Sequence, residues 1–222
     1  AYGLINLGYY YLLLGQFELA RRPLERGVKI SQRLGAKNCL AYSLLNLGLT
    51  LWRLGEPQNA CAILESSTGI LEAYDDQRGL ASKEFYLGLA YESEKESVEA
   101  AKHFNKSHNI SAYLGAIAGT VESQAGLARL ALNNGDMSTA KDLALQVSGY
   151  LDQEGLNGLE LPILTCLTCV KVFDALEDGR RVDQLLKKGI AEIEDQAAMI
   201  QRGDWKRVFK ESIRENRELL EY

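Results

Sequence analysis

Apolar and polar positions along this chain follow two nested periods. Over short distances apolar residues recur at i, i+3 and i+7, as at Leu4, Leu7 and Tyr11, which marks one face of an α-helix. Over longer distances the whole pattern recurs every 40 residues through the first 160. Leu7, Leu47, Leu87 and Leu127 form one column, with Gly8, Gly48, Gly88 and Ala128 beside it. Ala20, Ala60, Ala100 and Ala140 follow, and between these columns lie Gly15, Gly55, Lys95 and Gly135. Leu24, Leu64, Phe104 and Ala144 come next, then Ile30, Ile70, Ile110 and Tyr150. A register held this strictly predicts stacked helix pairs, each unit burying its apolar face on its neighbours.

The spacing predicts first helices near 1–14, 37–54, 77–94, 117–134 and 158–177, and second helices near 16–34, 56–74, 96–113, 136–153 and 180–201. Gly15, Gly55 and Gly135 fall where a first helix must stop and turn. Small residues in the Gly8 and Ala20 columns predict that the two antiparallel helices cross closely there. Pro23 lies inside the first of the second helices, where it is expected to remove one hydrogen bond and bend the helix. The fifth unit slips: its expected turn glycine, Gly179, stands 44 residues after Gly135. A highly charged last helix near 203–220 is expected to cap the array. The fold class is therefore all-α: a right-handed α-solenoid of about five helix pairs at 40-residue pitch plus a C-terminal capping helix. It reads as one superhelical domain over 1–222, with repeats about 1–36, 37–76, 77–116, 117–157 and 158–202 and the capping helix at 203–220.

The order Leu-Gly, large residue, Gly, Ala within each unit resembles the tetratricopeptide repeat, whose standard unit has about 34 residues. The extra residues fall after the Leu24 column and would lengthen the second helix by about 9 Å if helical. Leu40-Ala41-Tyr42-Ser43-Leu44-Leu45-Asn46-Leu47-Gly48 is similar to the long-unit repeats of large bacterial signalling ATPases. The closing stretch from Val208 to Leu220 resembles the end of that same group, which includes class III adenylate/guanylate cyclases and related transcriptional activators. The resemblance implies a C-terminal regulatory region whose catalytic modules lie elsewhere in a parent protein. Residues 1–14 carry no charge, and a helix apolar on every side belongs in an interior. The chain is accordingly expected to be a fragment, preceded by at least one more helical unit.

Charge and composition narrow the chemistry. The 222 residues carry a formal charge of −5, with pI near 5.3, so the overall electrostatic footprint of a nucleic-acid binder is missing. No apolar run approaches the roughly 18 residues of a membrane span. The four cysteines have no framework spacing, which suits a reducing cytoplasm. Cys166 and Cys169 form an isolated Cys-x-x-Cys without the second pair that a zinc site needs, and read as small packing residues. His103 and His108 stand five apart, and His108 shares the Val28 column, which places it in a packed seam. No nucleophile–base set and no phosphate-cradling loop is present. No enzyme activity, cofactor or metal is expected.

Two surfaces remain as candidates for binding. In the repeat the resemblance points to, inner-face residues of the first helices occupy positions 2, 5, 9 and 12. They are Tyr2, Ile5, Tyr9 and Leu12; Tyr42, Leu45, Leu49 and Trp52; then Phe85 and Leu89, with Arg129 in the fourth unit. An apolar groove of this kind suits an amphipathic helix or an extended hydrophobic peptide. The lysine/asparagine carboxylate clamp of chaperone-tail binders is absent, because Ile5, Tyr9, Asn46, Ser82 and Tyr86 hold the matching positions. The second surface is basic. Arg22, Arg26, Lys29 and Arg33 share one helical face in an acidic chain, which suits docking of an acidic neighbour. The expectation is a non-catalytic protein-interaction module of a larger bacterial, cytoplasmic signal-transduction protein. Its partner would be a protein or peptide, with another domain of its own parent chain included and neither nucleic acid nor membrane involved. Two alternatives stand beside it: a receptor whose groove binds a signalling peptide, and a scaffold that oligomerises through the apolar first helix.

Overall fold

The computed structural model describes residues 1–222, which form thirteen α-helices and no β-strand. The chain divides into two compact units, Ala1–Gly115 and Ala116–Tyr222.

The first unit contains α1 (Tyr2–Leu13), α2 (Phe17–Leu34), α3 (Lys37–Arg53), α4 (Pro57–Glu65), α5 (Thr68–Ala73), α6 (Gln77–Ser93) and α7 (Ser97–Tyr113). Its turns keep a strict rhythm. Left-handed backbone recurs at Gly15, Gly35, Gly55, Asp75, Lys95 and Gly115, one residue in every 20. Glycine adopts that conformation without a Cβ penalty. Asp75 and Lys95 adopt it with φ of 49° and 62°, held by the helices on either side. Asp76 starts α6 by accepting a hydrogen bond from the Gly79 amide at 2.9 Å.

The helix pairs close on the glycine column, but the partner differs from the expected one. A Cβ at Gly8 would lie 2.4 Å from Leu24 Cγ, at Gly48 2.5 Å from Leu64, and at Gly88 2.6 Å from the Phe104 ring. Leu24, Leu64 and Phe104 are thus knobs seated in glycine notches; the fully buried Ala20 column flanks that contact rather than making it. A second departure lies in the expected helix 56–74, which is broken into α4 and α5. Ser66 Oγ donates to Ile63 O and Ser67 Oγ to Leu64 O, both at 2.6 Å. Such local hydroxyl bonds compete with the helical ladder. Pro23, by contrast, lies inside an unbroken α2.

The second unit contains α8 (Ile117–Asn133), α9 (Met137–Glu154), α10 (Pro162–Ala175), α11 (Gly179–Met199), α12 (Gly203–Ser212) and α13 (Arg214–Leu220). Its core holds Val147, Leu151, Phe173, Ile193 and Leu219, all at most 1% exposed. Here the knob-and-notch columns carry Ala128 and Ala144, both fully buried, so the volume is shared evenly. The fifth turn is made by Glu177 at φ 58°, 42 residues after Gly135, and Gly179 is instead the first residue of α11. The slip is therefore two residues rather than four. The single capping helix is also corrected: extended backbone at Ile213 separates α12 from α13. Asn216 Nδ2 donates to Phe209 O at 3.0 Å across that break. Nor is the cap wholly polar, since Leu219 seats against Gly189, where a Cβ would lie 2.9 Å from it.

Candidate functional site

The first-helix residues expected to line a groove separate into two sets. Ile5, Leu12, Leu45, Leu49, Phe85 and Leu89 are buried and offer no surface to a ligand. The reason is stacking: α1 packs on α3 and α3 on α6, so these aliphatic positions fill the seams between successive first helices. Tyr2 and Tyr42 remain exposed, while Tyr9, Trp52 and Arg129 are half-buried.

Several of the accessible side chains act as struts between repeats. Tyr42 Oη donates to Asp76 Oδ2 at 3.0 Å, at the residue that starts α6. Trp52 Nε1 donates to Ser93 Oγ at 2.9 Å at the end of α6, and the Arg53 guanidinium lies 4.6 Å over the indole. Tyr2 bonds Cys39, near the start of α3, and its phenol pKa is raised by that neighbour. In the second unit Arg129 Nη1 donates to Thr168 Oγ1 at 3.0 Å, joining α8 to α10. Glu122 occupies the Tyr2/Tyr42 column and accepts from the Leu161 amide at 2.6 Å, just ahead of α10. Position 2 of three repeats therefore reaches the start of the next first helix, with three different chemistries.

Glu122 is the most perturbed of these groups. Burial pushes its pKa up to about 8, with the Glu160 carboxylate adding to the rise. Bonds from the Leu161 and Glu160 amides oppose the shift without cancelling it.

The basic face is built by α2. Its inner side buries Ala20, Leu24, Gly27 and Ser31, which turns Arg22, Arg26, Lys29 and Arg33 outward, and all four are exposed. None of them makes an ion pair. The acid among them, Glu25, is engaged by Arg21, which also binds Glu56 at 2.7 Å. Four uncompensated cations therefore lie along one helical face.

A buried ionic cluster went unnoticed in the pattern of the chain. His103 Nδ1 lies 2.5 Å from Glu84 Oε2, and Lys83 Nζ lies 3.0 Å from Glu84 Oε1. Lys83 also donates to Thr68 Oγ1 at 2.9 Å, and the Tyr91 ring stacks on the His103 imidazole at 5.1 Å. Burial opposes ionisation of Glu84, but hydrogen bonds from His103 and Lys83 prevail and hold its pKa below the ordinary value. A signal was available: Lys83-Glu84 stands where the preceding repeat has Ser43-Leu44. The cluster is closed, with each charge answered by another. His108 is half-buried.

Cys166 and Cys169 are both fully buried on α10, and their thiols donate to Leu185 O and Ala144 O. Burial pushes the Cys166 pKa up to about 12 and that of Cys169 higher still, so both remain protonated and unreactive. No group of three or more His, Cys, Asp or Glu side chains is arranged to hold a metal ion, and no helix is long and apolar enough to cross a membrane.

Residues 1–73 match the family model described as tetratricopeptide repeat. The fold is that of TPR-like repeats. Among solved structures the chain is similar to a Podosopora anserina putative kinesin light chain with nearly identical TPR-like repeats, at 22% identity and a TM-score of 0.59. That alignment covers 90% of this chain and 96% of the other. A second structure of the same repeats aligns at 22% identity and a TM-score of 0.60, covering 87% and 95%. No curated protein matches the chain. TPR-like repeats are typically protein-interaction scaffolds rather than catalysts, and no catalytic family is indicated.

Proposed function

We propose that this chain is a non-catalytic docking module that binds an acidic protein segment on the exposed face of α2. The supporting observation is the row Arg22, Arg26, Lys29 and Arg33: four exposed cations without ion-pair partners, in a chain whose net charge is −5. Complementary charge steers association and sets register between partners. In this reading the module is cytoplasmic and belongs to a larger bacterial signal-transduction protein of the ATPase or cyclase type. Its acidic partner is a regulator or another domain of the same parent chain. Similarity of the Leu40–Gly48 phrase and of the closing Val208–Leu220 stretch to that group supports this context.

Fluorescence anisotropy with a labelled Glu-rich 16-residue peptide tests the reading. Binding should weaken steeply as salt rises through the range where the Debye length falls below about 10 Å. Reversing Arg26→Glu and Lys29→Glu together should abolish it. Binding indifferent to both salt and charge reversal would refute the docking face. A second reading, a peptide receptor, is favoured by the exposed Tyr2 and Tyr42 rings on the first-helix face. It requires instead that an uncharged aromatic-rich peptide bind, and that Tyr2→Ala with Tyr42→Ala remove that binding.

A further inference from the structure

The outer faces of the first two second helices are opposite in charge and in bulk. Residues 21–37 carry six Lys or Arg and one acid, Glu25, whereas residues 54–77 carry five acids and no Lys or Arg. In the 40-residue register the columns of Arg22, Arg26, Lys29 and Arg33 on α2 are held by Ala62, Ser66, Gly69 and Ala73 in the α4–α5 segment. All eight residues are exposed, and a Cβ at Gly69 would meet nothing within 4 Å. Where one helix face carries four long cations, its neighbour thus presents small residues. Glu65 and Glu72 share that second face, three and ten positions after Ala62, and both are exposed. Glu72 makes no ion pair, and Glu65 meets only Lys83, at 3.9 Å, with half of its side chain still open to solvent.

We infer that the occupant of the α2 face is a second copy of this chain, in a two-fold dimer where α2 of each copy lies on the α4–α5 segment of the other. The inference rests on the docking role proposed for α2 and names what docks there. Charge decides the pairing. α2 against α2 would set four cations against four, and α4–α5 against itself would set acids against acids, so both arrangements repel. Offsetting the copies by one repeat makes the contact attractive. A two-fold axis between α2 and α4 then produces that contact twice, as in any isologous interface. The small residues leave room for the aliphatic stems of Arg26 and Lys29 to lie flat, with their charged ends reaching Glu65 and Glu72. Both stripes belong to the unit Ala1–Gly115, so the dimer needs nothing from the second unit.

Sedimentation equilibrium tests this. At low salt, where the Debye length is about 30 Å, the mass should be twice the 24.6 kDa of the chain, and salt near 1 M should return the monomer. Arg26→Glu with Lys29→Glu turns the centre of α2 acidic. Glu65→Gln with Glu72→Lys turns the α4–α5 stripe basic without setting a second cation beside Lys83. Each double variant alone should be monomeric, because its two stripes then carry the same sign. An equimolar mixture of the two should recover the dimer, since both contacts are again of opposite sign, and misfolded variants could not do so. A chain that is monomeric at low salt, that dimerises regardless of these changes, or that assembles beyond a dimer would overturn the inference. So would a mixture that stays monomeric. A monomer that still binds the Glu-rich peptide, and loses it with Arg26→Glu and Lys29→Glu, would overturn the dimer alone and leave the docking face standing. A monomer that binds no such peptide would overturn both.

Discussion

Replacing Glu122 by Gln should make this protein more stable at neutral pH while changing little in mild acid. Glu122 is 5% exposed, with its pKa raised to about 8 from an ordinary value of 4.5. A carboxyl whose folded pKa is raised holds its proton in the native state while the unfolded chain has released it. The stability it supports is therefore fully present below about pH 4.5 and lost progressively as pH rises toward 8. Each unit of pH in that window is worth about 1.4 kcal/mol, so the group weakens the fold by about 3 kcal/mol between pH 5 and pH 7. Gln keeps an oxygen to accept the Leu161 amide but does not titrate. The melting difference between Glu122→Gln and the parent should be near zero at pH 5, grow by about 6–12 °C by pH 7, and level off above pH 8. Circular-dichroism melts at pH 5, 6, 7 and 8 measure it, and taking the difference removes the titration of every other carboxylate. Glu122→Ala provides the contrast: it removes the same titration but leaves the Leu161 amide unpaired, so its difference from the parent should follow the same pH dependence displaced downward by about 1–3 kcal/mol for the lost partner alone. A melting difference independent of pH would refute the assignment of a neutral buried acid.

Two further outcomes follow from the packing and the turns. Gly48→Ala should cost about 1–3 kcal/mol, because its Cβ would meet Leu64 at 2.5 Å, and should cost nothing in a Leu64→Ala background, which reproduces the Ala128/Ala144 pairing of the fourth repeat; additive effects in a double-mutant denaturation cycle would contradict the knob-and-notch reading. Lys95→Gly should stabilise by about 1 kcal/mol, since Lys95 holds a left-handed φ of 62° where three other repeats place glycine, and an unchanged urea midpoint would show the strain is not there.

Much of the architecture was legible because helix-length periodicity and turn spacing carry it redundantly. The loss of glycine at Lys95 did not hide the third turn, since the apolar columns on either side kept their register. The fifth unit failed for the converse reason. With the alanine column gone, Gly179 was the nearest glycine, whereas the chain turns on Glu177, which carries no turn signal. The break between α4 and α5 turns on two serine hydroxyls, and side chains of that kind sit harmlessly in many helices. The candidate surface was half legible. Helical spacing identifies Arg22, Arg26, Lys29 and Arg33 as one face, and their exposure follows from the apolar residues behind them. Leu45, Leu49, Phe85 and Leu89 also share helical faces, but which of those faces stays open depends on how first helices stack on one another. The Lys83–Glu84–His103 cluster gathers residues up to 35 apart from Thr68 to His103, and no local pattern announces it.

The side chains at position 2 set how firmly one repeat is coupled to the next. In a linear array, unfolding spreads or halts according to such nearest-neighbour terms. Within the first unit the junctions from Tyr2 and Tyr42 use phenols, whose pKa is raised above the ordinary value of 10.0, by the neighbouring Cys39 at Tyr2 and by burial and Asp76 at Tyr42. The junction from Glu122 uses a group that ionises near neutrality. Alkaline conditions therefore loosen the coupling of α8 to α10 while leaving those of α1 to α3 and α3 to α6 intact. In the second unit, raising the pH should turn a single concerted transition into two, with the pair α10 and α11 escaping first.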